Sequence, residues 1–256
     1  LLGIGVGAPG MIDSGRGGIR RGVNLHWHDL PIAQLLGESY GLPIYVINDN
    51  QAALLAEWLF GRYRNRADLV MVRVGRGIGA ATMVNGQLIR SQGAGEIGHV
   101  VVVRDGERCS CGNIGCLETV ANSRAIVQRA RKLAAQEPDS RLAAHLNGGD
   151  ELDIQKVIAA WQAGDVFLES VVDDVAEHLG TALAQLVGVL GPVQILLSGS
   201  VTGFGDHLLE RVRKSVARDS LTAQLYPPLI DLASLSTDII MLGAPALPPQ
   251  HNLGLF

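Results

Sequence analysis

Three cysteines and one histidine lie close together in this chain, and they constrain its fold more than any other feature. The sequence reads Gly-Glu-Ile-Gly-His over 95–99 and Cys-x-Cys-Gly-x-x-Gly-Cys-x-Glu over 109–118, and the 256 residues contain three cysteines in all. Three thiolates and one imidazole make up a usual ligand set of a tetrahedral structural zinc site. The predicted zinc ligands are His99, Cys109, Cys111 and Cys116.

Other interpretations of the cysteines fit the sequence less well. A disulfide between Cys109 and Cys111 would be badly strained, and an odd number of cysteines leaves one thiol over. A redox-active pair requires Cys-x-x-Cys, which this segment lacks. Cysteine is often a small buried hydrophobe, but such residues would be scattered rather than clustered. For His99, an ordinary structural histidine remains the alternative to a fourth ligand.

The same segment holds two glycines and two acids that bear on function. Gly112 and Gly115 lie between the last two cysteines, and we expect them to supply the positive φ angles that a tight wrap of chain requires. Glu96 and Glu118 flank the predicted ligands at short range. Each carboxylate could orient a metal ligand or bind a polar small molecule, and both uses stay open.

Composition indicates a globular α/β protein of one or two domains. Hydrophobic residues make up 47% of the chain and charged residues 18%, which suits a large core. The formal net charge is −4 and no basic run occurs, so this chain lacks the electrostatic signature of a nucleic-acid-binding surface. No apolar stretch is long enough to span a membrane, and no signal peptide is present. With cysteines that resemble thiolate ligands, these features predict a cytoplasmic protein.

Hydrophobic patterning and turn residues predict alternating strands and helices. The predicted strands are 1–7, 43–47, 69–74, 193–197 and 239–242. The predicted helices are 31–40, 51–60, 119–135, 152–162, 165–190 and 205–217. Residues 136–150 are predicted to be a polar loop, and Asn85-Gly86 a hairpin turn.

Two of these strand ends carry candidate functional residues. Asn48-Asp49-Asn50 follows a buried strand and opens a helix, so helix capping explains one of the three polar residues. The position also matches the carboxyl ends of strands, where ligand crevices of α/β proteins form. Gly75-Arg76-Gly77-Ile78-Gly79 links two further strands, and backbone N–H groups in such a loop can cradle phosphate. A plain tight turn is the alternative.

These motifs together resemble the ROK proteins, a family of bacterial sugar kinases and sugar-responsive transcriptional regulators. The resemblance rests first on the histidine and cysteine motifs of 95–118. It extends to a Gly-x-Pro-Gly-x-x-Asp-like segment ending at Asp13 and to Asn24-Leu25-x-Trp27, whose spacing is one residue shorter than in the family. It covers nearly the whole chain.

The resemblance implies an actin-like, hexokinase-like (ribonuclease H-like) α/β fold with two lobes and a cleft. The chain opens in mid-strand without the family's phosphate hairpin, so the N-terminal part of the first lobe is expected to be missing. Residues 1–66, joined by 245–256, would form the partial small lobe. Residues 67–244 would form the large lobe with the zinc site.

The resemblance also implies a sugar site and, in kinases, a nucleotide site. The expected sugar-binding residues are Asn24, Asn48, Asp49, Glu96, His99 and Glu118. In a kinase, Asp49 would be the general base, and Gly75, Gly77 and Gly79 would contact Mg-ATP. The family's kinases carry Thr and further glycines in this loop. Departures from that pattern occur at Arg76, Ala80, Ala81, Ser198 and Ser200.

We therefore expect the sugar-sensing domain of a transcriptional regulator, with an ATP-dependent sugar kinase as the alternative. The expected ligand is a monosaccharide. DNA would be bound through a helix-turn-helix domain absent from this chain, and no membrane is involved. The family resemblance suggests a homodimer or homotetramer.

Overall fold

The computed structural model describes residues 1–22, 25–90, 93, 95–147, 151–191, 193–235 and 239–248. The chain divides into two compact units. The first comprises Leu1–Val72, Gly79–Glu96 and Ala233–Phe256, and the second comprises Arg73–Ile78 and Ile97–Leu232. Within the described ranges, no helix is both long and apolar enough to cross a membrane.

Strands and helices alternate along the chain, as the sequence predicts for an α/β protein. The strands are β1 (Ile4–Ala8), β2 (Met11–Asp13), β3 (Gly18–Gly22), β4 (Trp27–Leu30), β5 (Ile44–Asn48), β6 (Leu69–Val74), β7 (Ile78–Val84), β8 (Gln87–Leu88), β9 (Gln194–Gly199) and β10 (Leu229–Leu232). The helices are α1 (Ile32–Tyr40), α2 (Asp49–Phe60), α3 (Leu117–Ala121), α4 (Ser123–Gln136), α5 (Arg141–Asn147), α6 (Ile154–Gln162), α7 (Glu169–Leu190), α8 (Gly205–Asp219), α9 (Leu221–Leu225) and α10 (Ile239–Gly243). Short 3₁₀ turns cover Ile97–His99, Val166–Leu168, Ser200–Phe204 and Ala244–Ala246.

The first unit is built on a parallel strand pair and an antiparallel sheet. Strand β1 pairs in parallel with β5, from Ile4 opposite Ile44 to Ala8 opposite Asn48. Strands β2, β3 and β4 form the antiparallel sheet. Both groups contribute to one apolar cluster that contains Ala8, Ile12, Ile19 and Val46. This cluster fixes the carboxyl end of β5, where Asn48 lies.

The predicted hairpin at Asn85-Gly86 is confirmed. Strands β7 and β8 pair antiparallel, with Val84 opposite Gln87. Asn85 and Gly86 have φ values of 52° and 75°, and positive φ at both central residues is what a type I′ turn requires. The hairpin ends just before Arg90, which lines a recess of this unit.

The second unit contains a parallel strand pair and most of the helices. Strand β10 pairs in parallel with β9, whose residues Gln194–Ser198 are buried. The 22-residue helix α7 packs against α8, and its buried residues recur with the spacing of one helical face. Cys116 caps the short helix α3. The last of the predicted metal ligands therefore lies directly before a helix.

Three predicted elements differ from the structure. Ile239–Leu242, predicted as a strand, belongs to helix α10, because a short apolar run fits a buried helix as well as a strand. The single helix predicted over 119–135 breaks at Asn122, whose side chain accepts the Ala125 N–H at 2.8 Å and starts α4. The predicted loop 136–150 contains helix α5. Burial of its residues Leu142 and Ala143 stabilises this helix.

Candidate functional site

The four predicted metal ligands come together in the second unit. The side-chain donor atoms of His99, Cys109, Cys111 and Cys116 all lie within 4.8 Å of one another. Cys109 Sγ lies 3.5 Å from His99 Nδ1, and Cys111 Sγ lies 3.7 Å from Cys116 Sγ. The three cysteines are free thiols rather than disulfide-bonded. We call these four residues the thiol–imidazole cluster.

The spacing of the thiol–imidazole cluster fits a tetrahedral zinc ion. Zinc–sulfur bonds of about 2.3 Å and zinc–nitrogen bonds of about 2.0 Å, at tetrahedral angles, put two sulfurs about 3.8 Å apart and a sulfur and a nitrogen about 3.5 Å apart. The two observed distances, 3.7 Å and 3.5 Å, agree with both values. The donor set is also one that zinc prefers. The cluster therefore has the chemistry and the dimensions of a structural zinc site.

The backbone around the thiol–imidazole cluster is held by its own hydrogen bonds. The Cys109 N–H donates to Asn113 O at 2.8 Å, and the Gly115 N–H donates to Glu107 O at 2.9 Å. Gly112 and Gly115 have φ values of 105° and 74°, which confirms the prediction that both supply positive φ. A Cβ on Gly115 would lie 1.5 Å from the Val103 carbonyl oxygen. Only glycine fits at that position.

The thiols of the cluster differ in their acidity. Burial raises the pKa of Cys116 to about 12, with added contributions from the thiols of Cys111 and Cys109. Burial acts in the same direction on Cys111, but hydrogen bonds from the Asn113 backbone and the neighbouring thiols lower its pKa overall. Neighbouring sulfurs thus oppose the ionisation of Cys116. A divalent cation would favour all of the thiolates, since metal binding deprotonates thiols.

Glu118 connects the segment after the cluster to the glycine loop of the same unit. Its carboxylate oxygen Oε2 accepts the Ile78 N–H at 2.9 Å. Ile78 is 4% exposed, so its N–H is shielded from water. Glu118 lies in the first turn of α3, two residues after the N-cap Cys116. The position of this acid therefore depends on the same turn of chain that positions the last cysteine.

Further backbone groups of the glycine loop are also bonded within the protein. The Gly75 N–H donates to Gly77 O at 2.9 Å, and Gly75 O accepts the Ser123 N–H at 2.8 Å. Asn122 Nδ2 donates to Arg76 O at 3.0 Å. These contacts hold the segment 75–78 onto the start of α4.

Ser200 occupies the space beside this loop. Its hydroxyl donates to Val74 O at 3.1 Å and lies 2.9 Å from the Ser123 hydroxyl. Gly199, just before it, has a φ of 85°, and a Cβ there would lie 2.2 Å from Val74 O. The serine at 200 therefore joins strands and helix, and its hydroxyl is already engaged.

In the first unit, Asn48 caps helix α2. Its Oδ1 accepts the N–H groups of Asn50 at 2.9 Å and Gln51 at 3.4 Å, and its Nδ2 donates to Gly10 O at 3.0 Å. Helix capping, one of the interpretations given by the sequence, thus explains the side-chain position of Asn48. One of the two amide N–H donors goes to Gly10, and an amide group has a second.

Asp49 is the first residue of α2, at the carboxyl end of β5. Its Oδ1 accepts the Asn50 N–H at 2.9 Å, and the helix N-terminus favours a negative charge at this place. Asn50 packs against Gly79: a Cβ on that glycine would lie 2.3 Å from Asn50 Nδ2. The last glycine of the loop is therefore needed for packing, whatever else the loop does.

Asn48 and Glu96 line one recess of the first unit, together with Ser14, Gln51 and Arg90. Gln51 is held by a hydrogen bond from its Nε2 to Ile89 O at 3.0 Å. The recess has a volume of about 10 Å³, which holds about one water molecule. A larger ligand would lie at its mouth rather than inside it.

The predicted site residues thus fall into two groups, one in each unit. The first unit contains Asn48, Asp49, Glu96 and Gly79, and the second contains His99, Glu118, Gly75, Gly77 and the three cysteines. Asn24 lies outside the described residues. Asn48 and Glu96 share a recess, and the four metal ligands share a cluster. The sugar-binding and nucleotide-binding roles stay predictions.

Sequence reasoning missed Arg90 and the bracing residues of the glycine loop. Arg90 had a weak signal: it is a charged residue directly after a short apolar strand. Asn122 and Ser123 had none, because their partners Arg76 and Gly75 are remote in sequence and only the fold brings them together.

Comparison with known proteins agrees with the sequence motifs. Residues 1–251 match the ROK family. A xylose repressor of Caldicellulosiruptor bescii is 32% identical over 249 residues, covering 96% of this chain and 62% of its own length. A glucokinase of Halalkalibacterium halodurans is 34% identical over 255 residues, covering 98% of this chain and 77% of the relative. The chain thus spans less than two thirds of the repressor.

A solved structure extends the comparison to the fold. The crystal structure of a Streptomyces griseus ROK family glucokinase in complex with glucose and AMPPNP superimposes with a TM-score of 0.86 at 28% identity. The match covers 96% of this chain and 81% of that one. The predicted actin-like, hexokinase-like α/β fold is confirmed, and a repressor and kinases both occur among the similar proteins.

Proposed function

We propose that this chain, which belongs to the ROK family, is the sugar-binding effector domain of a transcriptional regulator. A monosaccharide would be its ligand, and a structural zinc ion would hold the thiol–imidazole cluster. DNA binding is assigned to a helix-turn-helix segment outside these 256 residues, in keeping with the net charge of −4 and the lack of a basic run here. Binding of sugar would alter the affinity for DNA through a coupling free energy between the two sites.

The hydrogen bonds within the glycine loop favour this proposal over the kinase alternative. A phosphate cradle requires backbone N–H groups that point at the ligand. In this chain the Ile78 N–H is taken by Glu118 and the Gly75 N–H by Gly77 O. A nucleotide would have to displace a carboxylate from a buried N–H. This loop is better suited to bracing the protein than to binding phosphate.

The replacements near the loop support the same conclusion. Ala80 and Ala81 are buried, at 4% and 3% exposure. The Ser200 hydroxyl bonds to Val74 O and lies beside Ser123. These side chains take up space and hydrogen-bonding capacity that glycines would leave open to a nucleotide.

A monosaccharide requires several fixed donors and acceptors, because each buried polar group left unpaired costs about 1–3 kcal/mol. Asp49 and Glu96 supply carboxylates in the first unit, and the second N–H of the Asn48 amide supplies a donor. Within the second unit, taken by itself, His99 and Glu118 are the residues that we propose for sugar contact. With Nδ1 facing the cysteines, the Nε2 of His99 is the ring nitrogen assigned to a sugar hydroxyl.

Zinc would serve structure rather than catalysis. Four protein ligands leave no open coordination position for water or substrate. A zinc ion would fix the ring orientation of His99 and the turn that carries Glu118. Sugar affinity is therefore expected to depend on the metal without direct contact between them.

An ATP-dependent sugar kinase is the second candidate, and the position of Asp49 favours it. Asp49 lies at the carboxyl end of β5 and at the N-terminus of α2, where a carboxylate can take a proton from an attacking hydroxyl. The glucokinase relative adds weight to this alternative. A regulator can retain the same acid for binding alone.

A paired assay separates the two candidates. Calorimetric titration with hexoses and N-acetylhexosamines measures sugar binding, and a coupled ATP assay on the same full-length protein measures phosphoryl transfer. We expect sugar binding that is weakened in Asp49→Ala, with no turnover. Asp68→Ala is a matched control, since Asp68 accepts the Asn85 N–H in an exposed turn of the same unit.

The outcomes discriminate clearly. Turnover that disappears in Asp49→Ala and persists in Asp68→Ala would overturn the regulator assignment in favour of the kinase. Absence of sugar binding in a protein that contains its metal would overturn both candidates.

A further inference from the structure

A larger cavity lies in the first unit beside the recess at Asn48. Its volume is about 500 Å³, within the size range of small-molecule sites. Ser14 and Arg90 line both spaces. Asp49, Glu96 and Asn48 do not line the cavity, so the monosaccharide proposal leaves it unexplained.

The charged residues of the cavity wall are all positive. Arg16 and Arg90 line it, and none of its nine lining residues, all of which the structure describes, is an Asp or a Glu. The Asp13 carboxylate nearby accepts the Arg16 backbone N–H at 3.1 Å, a contact to the main chain rather than to the guanidinium. Two cations without an acid in the wall favour an anionic occupant.

Arg90 has unused hydrogen-bonding capacity. Its Nε is buried and has no hydrogen-bond partner in the part of the chain that the structure describes. Arg90 is partly buried, and this burial lowers the pKa of its guanidinium. Buried polar atoms are almost always paired, so the described residues leave the guanidinium of Arg90, which lines the cavity, incompletely hydrogen-bonded.

The remaining wall is mixed in character. Ala33, Ile44 and Val46 supply apolar surface, and Ser14 and Tyr45 supply hydroxyl groups. Gly17, with a φ of 63°, lies so close to Ala33 that an added Cβ would approach its methyl to 2.4 Å. The wall therefore suits an anionic group attached to a small organic molecule rather than an inorganic anion alone.

We propose that this cavity binds a phosphorylated small molecule, with the phosphate held by Arg90 and Arg16. A phosphate monoester is dianionic and has three terminal oxygens, so it can accept from two guanidinium groups at once. A carboxylate has one negative charge and two oxygens and would leave one cation unmatched. The cavity shares Ser14 and Arg90 with the recess at Asn48, but the proposed monosaccharide contacts Asn48, Asp49 and Glu96 do not line it.

Glycerol 3-phosphate is a suitable probe, since it has no sugar ring to compete for the monosaccharide contacts. Titrations followed by calorimetry would compare it with glycerol and with inorganic phosphate. We expect saturable binding of glycerol 3-phosphate, weaker binding of inorganic phosphate and none of glycerol. Arg90→Met should weaken binding about tenfold or more, because it removes charge-assisted hydrogen bonds.

Two further variants keep the test decisive. Arg16→Met alters an exposed residue, so it should weaken binding even if Arg90→Met fails to fold. Arg64→Met removes an exposed arginine of the same unit that does not line the cavity, and it should bind like the parent. Equal binding in parent, Arg16→Met and Arg90→Met, or no saturable binding at all, would overturn the proposal. So would inorganic phosphate binding as tightly as the ester.

A parallel titration with glucose and N-acetylglucosamine separates this inference from the proposed function. Arg16 does not line the recess at Asn48 and Glu96, so loss of glycerol 3-phosphate binding in Arg16→Met with intact sugar binding supports the cavity site. Failure of the sugars to bind while glycerol 3-phosphate still binds contradicts the monosaccharide proposal alone.

Discussion

The replacement Gly115→Ala tests whether close packing against Val103 constrains the backbone around the thiol–imidazole cluster. Gly115 has a φ of 74°, and a Cβ there would lie 1.5 Å from Val103 O. The Gly115 carbonyl also accepts the N–H groups of Val102 at 2.9 Å and Val103 at 3.1 Å. An alanine must therefore displace the segment of Val102 and Val103, whose N–H groups the Gly115 carbonyl accepts.

Gly112→Ala is the matched control for this variant. Gly112 also has positive φ, 105°, but nothing lies within 4 Å of an added Cβ. Both variants carry a strain cost of about 1–3 kcal/mol for the unfavourable φ. Gly115→Ala should lose about 1–3 kcal/mol more, since the displacement weakens two backbone hydrogen bonds of about 0.5–1.5 kcal/mol each.

Urea unfolding of both variants and the parent measures this difference, and a chelator competition measures zinc affinity in parallel. We expect Gly115→Ala to be the less stable variant and to bind zinc more weakly. Equal stability of the two variants, or a Gly115→Ala protein as stable as the parent, would refute the argument from the Val103 contact.

Three further predictions concern the metal, the glycine loop and pH. Cys111→Ser should abolish stoichiometric zinc, measured by elemental analysis, and weaken monosaccharide binding as well; unchanged sugar affinity in the metal-free variant would disprove the coupling. Glu118→Ala should destabilise the protein by about 1–3 kcal/mol in urea, because the buried Ile78 N–H loses its acceptor, whereas Glu118→Gln retains an acceptor oxygen and should cost less. Burial, aided by the charge of Arg129, lowers the pKa of His178 from its ordinary value of 6.5. Because the unfolded chain then binds the proton more readily, the free energy of unfolding should be full above about pH 6.5 and fall as the pH drops below it. A His178→Gln variant with the same pH profile as the parent would contradict this.

The wrongly predicted elements share a physical cause. Residues 239–242 are four apolar residues that read equally well as strand or helix. Packing decides: Gly243 lies so close to α2 that an added Cβ would approach Ala52 O to 1.8 Å. The break at Asn122 likewise depends on a cap and on a remote partner, Arg76 O. The Gly243 and Arg76 contacts join residues remote in sequence and leave no trace in the local pattern, whereas the Asn122 cap is itself a local signal.

The sequence by itself determined the family, the fold class and the residues of the thiol–imidazole cluster. These follow from short-range spacing: cysteines two and five residues apart, with glycines between them, have few ways to fold. The tertiary structure decided which side chains are already engaged. Asn48 Nδ2 donates to Gly10 O, Glu118 accepts the Ile78 N–H, and the buried Arg90 Nε has no partner among the described residues. Those outcomes depend on contacts between residues far apart along the chain, because hydrogen bonding and burial are set by neighbours in space.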